Sequence, residues 1–158
     1  MIITVRKLYF MENKELILKL RSETGAGVMD AKNALAELSG DYDKAKAELL
    51  KLGLAKATKK ADRQVTAGLV ESYIHTGRVG ALVKISCETD FVAKTDEFKL
   101  LAKEVAMQVS AMDPENVEEL LKSAYIRDSK KSVEDLIKET IAKVGENIQV
   151  SEFSRFEI

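Results

Sequence analysis

Apolar residues recur at helical spacing through the first third of the chain. Leu16, Ile17 and Leu20 share one face of a segment from Lys14 to about Arg21, and Asn13 stands where it can cap that helix. Gly25 and Gly27 then break the pattern. It resumes over Val28, Ala31, Leu35 and Leu38, and Gly40 closes that second helix. Asp41 or Asp43 opens a third, with Tyr42, Ala45, Leu49 and Leu52 on one face and Gly53 as its stop. This three-helix module is small enough to be marginal as an isolated unit.

Residues 54–64 are basic, lack an apolar stripe, and read as a linker or a surface helix. The period then changes from helix to strand. Thr66–Thr76 and Arg78–Glu88 flank Gly77 as a hairpin. Val79, Ala81, Val83, Ile85 and Cys87 alternate onto one face, and Lys84, Ser86 and Glu88 onto the other. Cys87 therefore reads as a small buried apolar residue. A helix over Asp96–Met112 carries Phe98, Leu101, Val105, Val109 and Met112 as its stripe, with Thr95 as N-cap. A short helical stretch over Glu115–Lys122 and a brief strand over Ala124–Ile126 follow. Ser132-Val133-Glu134-Asp135 resembles a capping box. It opens a helix to Val144, with Val133, Leu136, Ile137, Ile141 and Val144 inward and Gly145 at its end. Asn147–Ile158 reads as a strand in which Phe153 and Phe156 fall out of phase with Ile148 and Val150; a bulge near Ser151–Ser154 would reconcile them.

The expected fold class is α+β: a helical module, then three antiparallel strands with helices on one face. The expected domains are an extension at 1–10, a three-helix domain at 11–53, a linker at 54–65 and an α+β core at 66–158. The extension Met1–Phe10 lacks periodicity and is expected to fray, and it lacks the apolar core and cleavage site of a signal peptide.

Composition narrows the function classes. Hydrophobic residues are 46% and charged residues 32%, a globular and soluble balance. The net charge of −1 offers no basic field for nucleic acid or an anionic membrane. One cysteine and one histidine, Cys87 and His75, exclude an internal disulfide and a multi-histidine metal site, and a reducing compartment fits. Nucleophile–base pairs, a P-loop and a GxGxxG after a strand are all missing, so covalent or metal-based enzyme chemistry is not expected. A hydrolase built on Asp90 or Glu88 would lack a partner group.

Two stretches are specific. Leu20-Arg21-Ser22-Glu23-Thr24-Gly25-Ala26-Gly27-Val28-Met29-Asp30-Ala31-Lys32-Asn33-Ala34-Leu35 resembles the N-terminal motif of the elongation factor Ts family. Cys87-Glu88-Thr89-Asp90-Phe91-Val92-Ala93-Lys94 resembles that family's second motif, centred on TDFV. Tyr73-Ile74-His75-Thr76-Gly77-Arg78-Val79-Gly80 is similar to its core hairpin. Val144-Gly145-Glu146-Asn147-Ile148 and Arg155-Phe156-Glu157-Ile158 are similar to its C-terminal motifs. The resemblance spans Met11–Ile158, with a departure: the second copy of the core that long members carry is absent or reduced to a helix and a strand.

The resemblance implies a guanine nucleotide exchange factor that binds elongation factor Tu in its GDP form and promotes GDP release. It implies no cofactor of its own, Mg²⁺ and GDP being displaced from the partner. It also implies a homodimer, a cytoplasmic location and no direct contact with nucleic acid or membrane. The partner-binding residues it implies are Thr89, Asp90, Phe91 and Val92 after the second strand, Arg21, Val28, Met29 and Lys32 in the first motif, and His75 in the hairpin. Only one of the neighbours Val28 and Met29 can face the helix's own core, which leaves an exposed residue for a partner. A competing reading takes the three-helix unit as a ubiquitin-associated (UBA-like) module for ubiquitin-like or nascent-chain partners, but TDFV and the hairpin are left unexplained by it.

Overall fold

The computed structural model describes residues 14–158. The extension Met1–Phe10 and the Asn13 cap lie outside the described residues. The chain divides into two compact units between Lys56 and Ala57.

The first unit holds three helices: α1 over residues 14–24, α2 over Val28–Glu37 and α3 over Tyr42–Thr58, whose last two residues pass the division. Leu20, Ala31, Ala34, Leu35, Ala45 and Leu49 form its core, with Leu16, Ile17, Leu38 and Tyr42 packed around them. Gly25, at φ +70, and Gly27 make the break between α1 and α2. Two sequence expectations change here. Val28 and Leu52 are exposed, not inward. Helix α3 also runs through Gly53, which is buried, and does not stop there. Gly53 lies four residues from Leu49 and from Ala57, both buried. The residues on either side are good helix formers, which offsets the roughly 1 kcal/mol a mid-helix glycine costs.

The second unit is a three-stranded antiparallel sheet with helices on one face. Strands β1 (Ala67–His75) and β2 (Val79–Cys87) form the hairpin, and β5 (Ile148–Glu157) adds to β2, giving the order β1-β2-β5. Thr76 and Gly77 both have positive φ, and the Arg78 N–H donates to the His75 carbonyl at 3.0 Å, closing the three-residue connection between paired His75 and Val79. Ala81, Val83, Ile85 and Cys87 are buried, as the alternation requires. Between β2 and β5 the register passes from Ile85↔Val150 to Lys84↔Glu152, so Ser151 is the extra residue of a bulge. The bulge turns Phe153 toward the core, but Phe156 stays outside and 70% exposed, so only one of the two phenylalanines is brought into phase.

Between the hairpin and β5 come α4 (Asp90–Ala93), α5 (Asp96–Met112), α6 (Val117–Lys122), β3 (Ala124–Tyr125), β4 (Asp128–Ser132) and α7 (Val133–Val144). Phe98, Leu101, Val105 and Val109 of α5 meet Val133, Ile137 and Ile141 of α7 and the inner face of the sheet in one core. Met112 is half exposed because Asp113, at φ +49, ends the helix beside it. Asn116 caps α6 by accepting from the Glu119 N–H at 2.9 Å, which moves its start past Glu115. Strand β4 was not expected: Asp128-Ser129-Lys130-Lys131-Ser132 has no apolar alternation. It pairs with β3 around a turn that fully buried Gln108 pins, by donating to the Ala124 carbonyl and accepting from the Ile126 N–H. The capping box at Ser132 and Asp135 is present, and Gly145 at φ +83 ends α7.

The stretch 54–64 splits. Its first part completes α3, and Ala57 is buried in the second unit's core. Its later part is tied to the same unit: the Asn147 side-chain amide donates to the Ala61 carbonyl at 3.1 Å and the Arg63 carbonyl at 2.8 Å.

Candidate functional site

Strand β2 ends at Cys87, and two residues later Thr89 caps the four-residue helix α4. The resemblance placed Thr89, Asp90, Phe91 and Val92 after the second strand, and there Thr89 and α4 form a helical turn. A helix this short cannot hold itself. Val92 and Ala93 anchor it, each 8% exposed in the core beneath. Residues in a helical turn are about 100° apart, so seating Val92 and Ala93 sends Asp90 and Phe91 outward. Phe91 is 87% exposed. Among the described residues it is an uncovered aromatic side chain on a turn fixed at both ends. At the far end Thr95 closes α4 and opens α5. Its hydroxyl donates to the Val92 carbonyl at 2.8 Å and accepts from the Phe98 N–H at 3.3 Å.

The near end is held by residues that sequence reasoning gave no role. Both oxygens of the Glu146 carboxylate accept from Thr89, Oε2 from its backbone N–H at 2.9 Å and Oε1 from its hydroxyl at 2.6 Å. Glu88 returns the contact, its Oε1 accepting from the Asn147 N–H at 2.7 Å. The Arg63 guanidinium lies 3.5 Å from the same Glu88 oxygen. The signal that could have found them is the run Gly145-Glu146-Asn147, polar residues wedged between a helix-ending glycine and a buried strand.

Cys87 is fully buried. Burial, reinforced by the Glu146 and Asp90 carboxylates, pushes its thiol up, which suits a packed side chain and not a nucleophile. His75 is at the other end of the hairpin. It pairs with Val79, whereas Cys87 pairs with Ala67, so β1 separates His75 from the TDFV turn by roughly 26 Å at about 3.3 Å per residue. His75 is exposed, stacked on Tyr73 with ring centroids 6.2 Å apart, and its Nδ1 is 3.2 Å from the Tyr73 hydroxyl.

In the first unit, Val28 and Met29 are 45% and 61% exposed at the start of α2. Lys32, one turn on, shares their outward face, and Arg21 is exposed near the end of α1. Both apolar neighbours, not one, are therefore free of the helix's own core. Among the described residues no cluster of three or more His, Cys, Asp or Glu side chains could hold a metal ion.

Comparison with known proteins decides the family. The family model described as Elongation factor TS matches residues 88–158, from the β2 end through β5. An elongation factor Ts of Syntrophomonas wolfei is 42% identical over 94% of this chain and 91% of its own length. The chain belongs to the elongation factor Ts family. It is thus a translation elongation factor. The elongation factor Ts of Thermoanaerobacter sp. strain X514 is 40% identical over 93% of this chain and 95% of its own. That of Nostoc sp. strain PCC 7120 is 48% identical over 90% of this chain but only 45% of its own length, so this chain spans less than half of that relative. The alignment with the Syntrophomonas elongation factor Ts runs over 194 positions against 158 residues here, so that relative holds segments that this chain lacks.

Proposed function

We propose that this protein binds elongation factor Tu in its GDP form and speeds the release of GDP, acting as an exchange factor and making or breaking no covalent bond. The observation that carries the reading is Phe91, 87% exposed on a helical turn held at both ends. A large apolar side chain normally leaves water at a gain of about 1.5–3 kcal/mol. Leaving it on a rigid mount stores that gain for a partner.

Exchange follows from linkage. Mg²⁺ and the partner's phosphate-binding groups clamp a bound nucleotide. A partner loosens the clamp only if it binds the empty state more tightly than the loaded one. A ring that enters a gap open only in the distorted site supplies that difference, and Asp90 beside it brings a negative charge where phosphate and metal compete. The protein then needs no cofactor of its own; Mg²⁺ and GDP leave its partner. Arg21, Val28, Met29 and Lys32 supply a second contact to elongation factor Tu, and His75 a third at the hairpin turn.

The protein acts in the cytoplasm as a homodimer, with neither nucleic acid nor membrane as a partner. The outer face of its sheet supports the dimer. Val70, Ile74, Leu82 and Phe156 are exposed there, and Gly80 lies between Ile74 and Phe156 in register. A second copy that covers this face also replaces the core repeat that the chain lacks.

Calorimetric titration tests the partner assignment. The protein should bind nucleotide-free elongation factor Tu at least tenfold more tightly than the Mg²⁺·GDP form. Equal affinity for the two forms would refute exchange, since a ligand without differential affinity shifts nothing.

A further inference from the structure

The last residue pair of the β2–β5 ladder is Cys87↔Ile148. Beyond it the backbones no longer exchange hydrogen bonds, yet the strands' continuations stay joined. The Glu146 carboxylate accepts from the Thr89 N–H and hydroxyl, and the Glu88 carboxylate accepts from the Asn147 N–H. In both contacts a side-chain carboxylate, not a backbone carbonyl, accepts the N–H of the facing segment. The arrangement is reciprocal: each segment offers one acid and one backbone donor. It is anchored from behind, because the Asn147 amide is tied to the Ala61 and Arg63 carbonyls and the residue is only 2% exposed.

This clasp acts on the mount of Phe91. With its proton directed to Glu146 at 2.6 Å, the Thr89 hydroxyl has its lone pairs free for the start of α4, where the Val92 N–H lies 3.5 Å away. The Thr89 carbonyl meanwhile accepts from the Ala93 N–H at 3.2 Å and the Cys87 thiol at 3.2 Å. Every polar group of Thr89 is thus engaged, and Glu146 fixes two of them at once. Charge-assisted bonds of this length are the stronger kind. The Phe91 ring is bare to solvent; only its backbone carbonyl helps hold the turn, accepting from the Lys94 N–H at 3.3 Å.

We infer that Glu146 is a positioning residue for exchange: it clamps Thr89 and so sets the angle at which α4 presents Phe91 to the partner. The inference rests on the proposed exchange function. It assigns to a residue just before β5, remote in sequence, control over how effective the Phe91 contact is.

The test uses the full chain with Glu146→Ala, Glu146→Gln and, as a control, Glu139→Ala, which breaks the ion pair with Lys131 instead. Two quantities are read on each: amide hydrogen exchange over residues 89–95 in the protein alone, and GDP release from elongation factor Tu across a range of protein concentrations. Glu146→Ala should lose amide protection over 89–95 with the rest of the core unchanged. It should lower the maximal release rate about tenfold, the order expected for a lost charge-assisted contact, with little change in the concentration for half-maximal effect. Glu146→Gln keeps an acceptor for the Thr89 N–H and should recover much of both. Glu139→Ala should match the parent. Unchanged protection in Glu146→Ala would overturn the inference, as would lost protection with release at the parental rate. A parent that fails to speed GDP release from elongation factor Tu would instead overturn the exchange reading itself, and the parent's own rate tells the two failures apart.

Discussion

Replacing Phe91 by Ala separates a partner-facing side chain from a core one. The ring is 87% exposed, so its removal forfeits almost no packing within the chain. Ala is also the better helix former by about half a kcal/mol. The expected change in stability is within about 0.5 kcal/mol of zero, a shift of no more than about 2 °C in melting temperature for a chain of this size. Phe98, fully buried at the first turn of α5, is the internal control: Phe98→Ala should cost about 3–5 kcal/mol. If the Phe91 ring is buried only in the state that loses nucleotide, its truncation removes about 1.5–3 kcal/mol from that state. Release of GDP should then slow by roughly tenfold to 150-fold. The assay is stopped-flow release of a fluorescent GDP from elongation factor Tu, run beside thermal unfolding of the same preparation. A Phe91→Ala protein that melts normally and exchanges at the parental rate would refute the reasoning. So would one that melts far below the parent.

Gly68 has φ +152, and a Cβ there would lie 2.2 Å from the Ile85 carbonyl oxygen, so Gly68→Ala should cost about 2 kcal/mol or more in denaturant titration. The Asp135 carboxyl is held below its ordinary range, first by the Ser132 N–H and then by the Ser132 hydroxyl. Its contribution is therefore fully present above the ordinary aspartate value near pH 3.8 and is lost as pH falls through the lower folded-state value. Asp135→Asn should flatten that acid limb of the melting-temperature profile. Ile74, 70% exposed on the outer sheet face, should tolerate Glu in the folded monomer but not in a dimer. Sedimentation should show the parent as a dimer at micromolar concentration and Ile74→Glu at the 17.5 kDa of one chain.

Much of the architecture was legible because local signals agreed with the fold. Alternation from Val79 to Cys87, Gly77 at the turn, Thr95 and Ser132 as caps, and Gly145 as a stop each carry their own physics, and each stands where the pattern put it. Most of the misses turn on a distant contact, and Gly53 on the helix formers around it. Gly53 is carried through α3 by its neighbours and its burial, and β4 by pairing around the Gln108 pin. Phe156 lies beyond the bulge on the outer face, and no alternation within β5 could say how far the bulge reaches. At the candidate site, the sequence pointed to Thr89-Asp90-Phe91-Val92 through a family resemblance and not through chemistry. The exposure of Phe91 comes from the seating of Val92 and Ala93. The role inferred for Glu146 rests on a contact just beyond the paired ends of β2 and β5 that no local window contains.

The central claim is that this protein drives GDP from elongation factor Tu. The direct measurement is the rate at which preloaded fluorescent GDP leaves elongation factor Tu, in Mg²⁺ and excess unlabelled GDP, with and without the protein. At substoichiometric protein the account predicts release accelerated by at least tenfold, rising with protein concentration and turning over many partners per molecule. A release rate that stays at the spontaneous value at every protein concentration would contradict it.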